Sequence, residues 1–482
     1  MRRIAPLIAL VALALPQAAH ASRSQESMFQ DDRSLLYAGD ARRENTLDQL
    51  QSLGVDTIRV NVLWSKVAPN PRSKHRPAFD ATNSGAYPSS ANPYPFAALD
   101  AVVAGAQRRG MNVQLTPTVP GPAWASSCKG SSSRRQICRP KPAEYGRFVT
   151  ALGRRYPSVR RWSIMNEPNQ GSWLTPQYVK RHGHWVPESP RVYRNLVRAA
   201  TGALAATGHG GDQILFGETA PIGRTSGRRY SRSIGPVDFY RELFCLNSRG
   251  HKLRGRAARI RGCRHYAKLG VTGVAHHPYT RGAGQSPNAR VGRSDITLAK
   301  IGRLSLWLDR AARQGRIPSG LGIWLTEYGF QTRPPDRYAG TSLRNQARWI
   351  NESDWIAWRN GRIRSVDQYE LRDDPSLGAF QTGLRFKNGK PKPSLAAYRL
   401  PIWPRATHHG TRLWLQVRPE SRLGTPQQVT IQYKGRHKHR WRTLKTATVT
   451  DPHGFLHTST HVRASYWRFR WGHYRSRTAP IA

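Results

Sequence analysis

Acidic residues are scarce in this chain: 28 Asp and Glu stand against 77 Lys and Arg in 482 residues, a formal net charge of +49. A nucleic-acid surface concentrates its cations on one element or interleaves them with aromatics. Here arginine is spread along the entire mature sequence, so nucleic acid is set aside as a partner. A global positive field instead favours encounter with an anionic cell envelope or an acidic polysaccharide. Cysteine is nearly missing. The four present, Cys128, Cys138, Cys245 and Cys263, lack the close C-x-x-C spacing of a structural zinc site. In an exported chain an even count reads as disulfides. Among the possible connectivities, Cys128 with Cys138 and Cys245 with Cys263 keeps each bridge inside one loop region. Long apolar runs are also missing beyond the N-terminus, where no segment approaches about 18 uninterrupted apolar residues, so no membrane span is expected. The one early run, Ile4 to Pro16, follows Met1-Arg2-Arg3 and precedes Ala19-His20-Ala21. That order of charged, apolar and small residues reads as a secretory signal, residues 1–21, and predicts a secreted or extracytoplasmic protein.

What is present is a rhythm. Short apolar strands alternate with helices that carry their charge on an outer face, with strands expected at 35–37, 57–61, 112–116, 161–165, 213–217, 273–275, 322–325 and 365–369. Helices are expected between them at 43–53, 96–109, 143–156, 192–206, 238–246, 298–313 and 343–358. Such units repeated eight times close most naturally into a (β/α)8 TIM barrel. The open doubly wound sheet would announce a glycine-rich phosphate turn after its first strand, and Tyr37-Ala38-Gly39-Asp40-Ala41 is not one. Long segments at 68–95 and 171–190, rich in Pro, Gly, Ser, Trp and Tyr, read as loops that shape a cleft. Near Pro401-Ile402-Trp403-Pro404 the period shortens to two, as in Leu413-Trp414-Leu415-Gln416-Val417. The expected organisation is therefore α/β: a signal peptide (1–21), a barrel domain (22–404) and a small all-β sandwich domain (405–482), in which Trp441 or Trp467 is a candidate sugar contact.

Two strands end in a glutamate. Trp162-Ser163-Ile164-Met165-Asn166-Glu167-Pro168 and Gly322-Ile323-Trp324-Leu325-Thr326-Glu327-Tyr328-Gly329 each run apolar into an acid and then into a Pro or Gly turn. An acid at the C-terminal end of a barrel strand lies where such folds keep their chemistry. Two glutamates facing one cleft are the minimal equipment for hydrolysing a glycoside.

The segment Asn166-Glu167-Pro168 after the fourth strand, with Glu327 after the seventh, resembles clan A of the glycoside hydrolases, the retaining barrel enzymes that include the cellulase-like family five and the xylosidase-like family thirty-nine. The resemblance covers roughly residues 34–404. It implies that Glu167 is the acid/base and Glu327 the nucleophile, and that Asn166 bonds the sugar 2-hydroxyl. Arg59, near the end of strand two, matches an arginine that in the clan touches the nucleophile. Ala275-His276-His277-Pro278-Tyr279 resembles the clan's group after strand six, which implies that Tyr279 orients Glu327 and that His277 meets the substrate or Glu167. The adjacent histidines lack a third ligand at short or helical spacing, so no metal is expected, and no cofactor. Trp64, Trp124 and Trp173 each follow a barrel strand and are candidate sugar-stacking residues. Strand eight departs from the clan: Asp367-Gln368-Tyr369-Glu370-Leu371-Arg372-Asp373-Asp374 has no tryptophan, and Glu370 is a candidate contact to sugar hydroxyls there. The expected activity is hydrolysis of a β-linked glycoside or of an oligo- or polysaccharide by double displacement. The alternatives are transglycosylation on the same scaffold and a non-catalytic carbohydrate-binding or envelope-adhesion protein.

Overall fold

A computed structural model describes residues 24–419 and 426–482. The expected signal segment, 1–21, lies outside the described residues. Eight parallel strands, β1 (Glu26–Gln30), β2 (Thr57–Leu63), β3 (Asn112–Thr118), β4 (Arg161–Ser163), β5 (Gln213–Thr219), β6 (Gly273–His276), β7 (Gly322–Leu325) and β8 (Ile363–Tyr369), close into a barrel. Each pairs with its sequence neighbours, and β1 seals the ring by pairing with both β2 and β8. The fold is a (β/α)8 barrel, with all-β structure after it.

The helices cover the barrel because their apolar residues recur at helical spacing. Helix α3 (Pro142–Arg155) opens on a proline, whose missing N–H costs nothing at a helix start, and buries Tyr145, Phe148, Val149 and Leu152. Helix α7 (Leu343–Trp358) is capped by Ser342, whose Oγ accepts the Asn345 N–H, and buries Ala347, Ile350 and Ala357. The other helices follow the same logic: α1 (Asp40–Ser52), α2 (Ala97–Arg108), α4 (Ser189–Leu204), α5 (Pro236–Leu243), α6 (Gly302–Arg313) and α8 (Pro393–Arg399).

One strand was expected in the wrong place. Residues 35–37 belong to a helical turn, Arg33–Tyr37, and the first strand is Glu26-Ser27-Met28-Phe29-Gln30. That strand is half polar, which hid it from a reading based on apolar runs. Its polar ends, Glu26 half-buried and Gln30 buried, have partners waiting inside the barrel: Arg161 binds the Glu26 carboxylate at 2.7 and 2.8 Å, and the Gln30 amide oxygen accepts from Arg59.

The barrel interior is therefore layered. Glu26, Thr57 and Arg161 form a polar plug at the N-terminal end. Met28, Leu215, Ala275 and Trp324 make a small apolar middle. Gln30, Arg59, Gln114 and Glu218 make a second polar layer toward the C-terminal end.

Beyond the barrel, β9 (Ile402–Thr407), β10 (Gly410–Gln416) and β13 (Phe455–Thr460) form one antiparallel sheet. A second contains β11 (Gln427–Lys434), β12 (Arg442–Val449) and β14 (Tyr466–Trp471). Leu413, Leu415, Val429, Ile431, Trp467 and Phe469 fill a shared core. Trp467 is thus a core residue with no exposure, not a sugar contact. Arg418 ties this region to the barrel through Asp354 at 3.0 Å and lies 3.9 Å over the Tyr398 ring. Both expected disulfides, Cys128–Cys138 and Cys245–Cys263, are formed.

Candidate active site

The C-terminal mouth of the barrel holds a cleft of about 310 Å³. Glu167 and Glu327 both line it, reaching it from the segments that follow β4 and β7. The Glu167 backbone adopts φ +41°, a left-handed conformation costly for a residue with a Cβ, and its N–H bonds the Glu218 carbonyl at 3.1 Å. The strain aims the side chain while the bond ties the turn to the end of β5. One oxygen of Glu167, one of Glu327 and one ring nitrogen of His277 lie within 4.8 Å of one another. His277 Nδ1 sits between the two acids, 3.1 Å from Glu167 Oε1 and 3.7 Å from Glu327 Oε2. A cation could be held by such a trio, but its two oxygens and one nitrogen are also the set that acid/base chemistry needs.

Glu327 has three close polar neighbours. Tyr279 donates its hydroxyl to Oε1 at 3.1 Å, Arg59 Nη1 approaches Oε2 at 3.3 Å, and His277 stands beside it. Burial pushes the Glu327 carboxyl above its ordinary value, against the pull of His277 and Arg59. Burial also drives the Tyr279 hydroxyl well above its usual range, so it stays a donor. The adjacent His276 faces elsewhere. Its ring lies between the Thr219 hydroxyl and the Ile296 carbonyl, and burial pushes it down to about 3, which leaves it a neutral structural residue.

Beneath the two acids lies a third, which the sequence reading missed. Glu218 is fully buried and binds Arg59 with both oxygens, at 3.1 Å to Nε and 2.6 Å to Nη2. Arg59 was expected to serve Glu327, yet this fork-to-fork pair is its main engagement. Its other N–H groups reach Gln30, Asn61 and Asn166, the last at 2.6 Å. Glu218 turns inward because the β5–β6 register shifts between Gly217 and Thr219, a bulge with Gly217 at φ +109° and Glu218 at +40°. A signal was available: Ile214-Leu215-Phe216-Gly217-Glu218 is another apolar run ending in an acid. Closing the expected strand at Gly217 left it out.

The aromatic expectations divide. Trp173 is half-buried and lines the cleft, together with Tyr37, Tyr369 and Phe380. Trp64 and Trp124 do not. Trp64 stacks on Phe148 at 5.2 Å and meets Trp124 edge-on at 5.9 Å, so both are buried in a cluster behind the loops. Tyr369, with Phe380 against its ring at 5.0 Å, supplies the aromatic surface of strand eight where no tryptophan exists. Glu370 is buried and absent from the cleft wall, its carboxyl held well above the usual range by burial and by the charge of Asp31. Its neighbour Asp373 is engaged by Lys392 at 2.6 Å.

No family model matches the chain, and no curated protein matches it in sequence. Solved structures resemble it loosely. A family 39 glycoside hydrolase from the gut symbiont Bacteroides cellulosilyticus WH2 is 13% identical, with 85% of this chain and 75% of that one covered at a TM-score of 0.48. A β-glucosidase from Trichoderma harzianum is 14% identical over 79% of this chain and 97% of that one, at 0.48. A GH5_18 protein from Streptomyces cattleya, in complex with GlcNAc, is 16% identical over 79% of each chain, at 0.47. Likenesses this loose leave the chemistry to be argued from the residues themselves.

Proposed function

We propose that the chain is a retaining β-glycosidase in which Glu167 is the acid/base and Glu327 the nucleophile. The observation that carries this reading is the approach of their carboxylate oxygens to within 4.8 Å at the barrel mouth. Retention needs carboxyl groups roughly 5 to 5.5 Å apart, whereas inversion leaves room for a water at roughly 6.5 to 9.5 Å. Glu327 attacks the anomeric carbon while Glu167 protonates the leaving oxygen. Water, deprotonated by Glu167, then releases the sugar from Glu327. Arg59, Tyr279 and His277 hold Glu327 in line and favour its anionic form. Asn166, fixed by its oxygen on Arg59, keeps its amide N–H groups for the sugar 2-hydroxyl. In this reading residues 22–404 make up the catalytic domain and 405–482 a small β domain, with β9 (Ile402–Thr407) crossing the boundary. A sugar hydroxyl in place of water would give transglycosylation from the same intermediate.

Glu167→Gln and Glu327→Gln are expected to lower kcat on an aryl β-glycoside by about 100-fold or more with the fold retained. Unchanged turnover in either would overturn the roles. Retained sugar binding with no turnover even in the parent protein would instead favour a carbohydrate-binding protein.

We further propose export, with an anionic envelope or acidic polysaccharide met by the outer surface. Two disulfides accord with an oxidising compartment. A specific surface favours the polyanion: β14 and its neighbours carry Arg468, Arg470, Arg475 and Lys434, none of them paired with a carboxylate among the described residues, and Arg468 lies 4.1 Å over Trp441.

A further inference from the structure

The cleft is opposite in sign to the molecule that surrounds it. Three of its twelve lining residues are acids, Asp32, Glu167 and Glu327, and the others are amides, aromatics and Leu63. Among the described residues that line it there is no lysine, arginine or histidine, in a chain of net charge +49. The cation beneath this wall, Arg59, cannot turn outward to serve a substrate. Arg59 is fully buried, and its nitrogens bind Gln30, Asn61, Asn166, Glu218 and Glu327. A carboxylate or sulfate on the bound ring would therefore lie among like charges, out of water and without a partner, which is the costly case.

Hydroxyl groups fit the same wall. Asp32 stands on the segment after β1, half-buried at the cleft, beside Tyr37 and Asn61. Its Oδ1 accepts the Asn61 backbone N–H at 3.1 Å and its Oδ2 the Gln30 side-chain amide at 2.8 Å. An ionised carboxylate offers about four acceptor sites, so one on each oxygen is left for a ligand's O–H. The two protein donors fix the carboxylate in place, and only a donor can approach what remains.

We infer that the sugar at the reacting position is neutral, and that Asp32 is the residue that selects it, accepting hydroxyl hydrogen bonds and repelling a uronate or a sulfated ring. The inference rests on the glycosidase reading and adds to it the class of sugar. It also separates two roles: the basic exterior can hold a polyanion while the cleft cuts at an uncharged unit.

The test compares aryl β-glucoside, β-galactoside, β-xyloside and β-mannoside with aryl β-glucuronide and β-galacturonide, in the parent protein and in Asp32→Asn. At least one neutral glycoside should be cleaved with kcat/KM roughly 100-fold or more above either uronide, since like-charge juxtaposition costs several kcal/mol. Asp32→Asn should raise KM for the neutral substrate and narrow that ratio at least tenfold. A uronide cleaved as well as its neutral counterpart, or a ratio untouched by Asp32→Asn, would overturn the inference. Binding of glucose and of glucuronate to Glu167→Gln, followed by tryptophan fluorescence, decides it apart from turnover. Tighter glucose supports the inference and tighter glucuronate refutes it, whereas absence of turnover on every glycoside would count against the glycosidase reading alone.

Discussion

Arg59 and Glu218 show how the site is held from below. Both are fully buried, and a pair of charges out of water is tolerable only because their fork-to-fork geometry and the amides of Gln30, Gln114 and Asn166 satisfy them. Removing one partner strands the other. Arg59→Met is expected to cost about 3–5 kcal/mol in urea denaturation, because Glu218 is left as an unpaired buried charge. Arg59→Met with Glu218→Met should recover most of that stability, since an apolar pair of similar volume carries no desolvation cost, but activity should stay lost for want of the guanidinium beside Glu327. A single variant as stable as the parent would show that the pair does not anchor the floor. The sequence made Arg59 legible because an arginine inside the apolar run Ile58-Arg59-Val60 demands a partner. It did not say which acid, since the partner lies 159 residues away across the barrel.

At the scale of elements, the loops after β2, β3 and β4 decide what each tryptophan does. Trp64 begins just after β2 and turns back against α3, where Tyr145 and Phe148 offer apolar surface, and Trp124, in the loop after β3, packs on Trp64 and Phe79. Position after a strand did not distinguish them from Trp173, because the deciding factor is the aromatic face of a helix elsewhere in the chain. Trp64→Ala is expected to cost about 3–5 kcal/mol in stability, from lost burial and the cavity left behind, with KM for an aryl glycoside changed little in the protein that folds. Trp173→Ala should do the reverse, raising KM several-fold while stability moves by about 0.5 kcal/mol or less. Chemical denaturation and initial rates on both variants check the contrast, and the opposite pattern would return Trp64 to the cleft. The same limit explains β1. Residues such as Glu26 and Gln30 read as loop until Arg161 and Arg59 are seen waiting for them.

For the whole molecule, the alternation of strand and helix was enough to give the barrel, because each βα unit states its own period and right-handed crossovers leave few ways to close eight of them. Seven strands were legible where apolar residues dominate, and the eighth was hidden by the polar layers that make the interior a site. The two strand-end glutamates were legible from their local pattern alone. Glu218 carries the same local pattern one residue past an expected strand end, whereas Asp32 and Tyr369 become apparent as cleft residues only once the ring is closed. The net charge of +49 belongs to the outer surface in this account, so its effect should be separable by salt. With the Debye length falling from about 10 Å at 0.1 M to about 3 Å at 1 M, activity on an anionic polysaccharide should drop steeply while activity on a neutral aryl glycoside holds. Equal responses would mean that the charge plays no part in capture.

Double displacement through Glu327 is tested by mass spectrometry of the protein after incubation with an activated 2-deoxy-2-fluoro-β-glycoside of the sugar it cleaves. A stable adduct of one sugar per chain is expected, carried after proteolysis by the peptide containing Gly322-Ile323-Trp324-Leu325-Thr326-Glu327 and lost in Glu327→Gln. An adduct on Glu167 or Glu218, or turnover with inversion and no adduct at all, would contradict it.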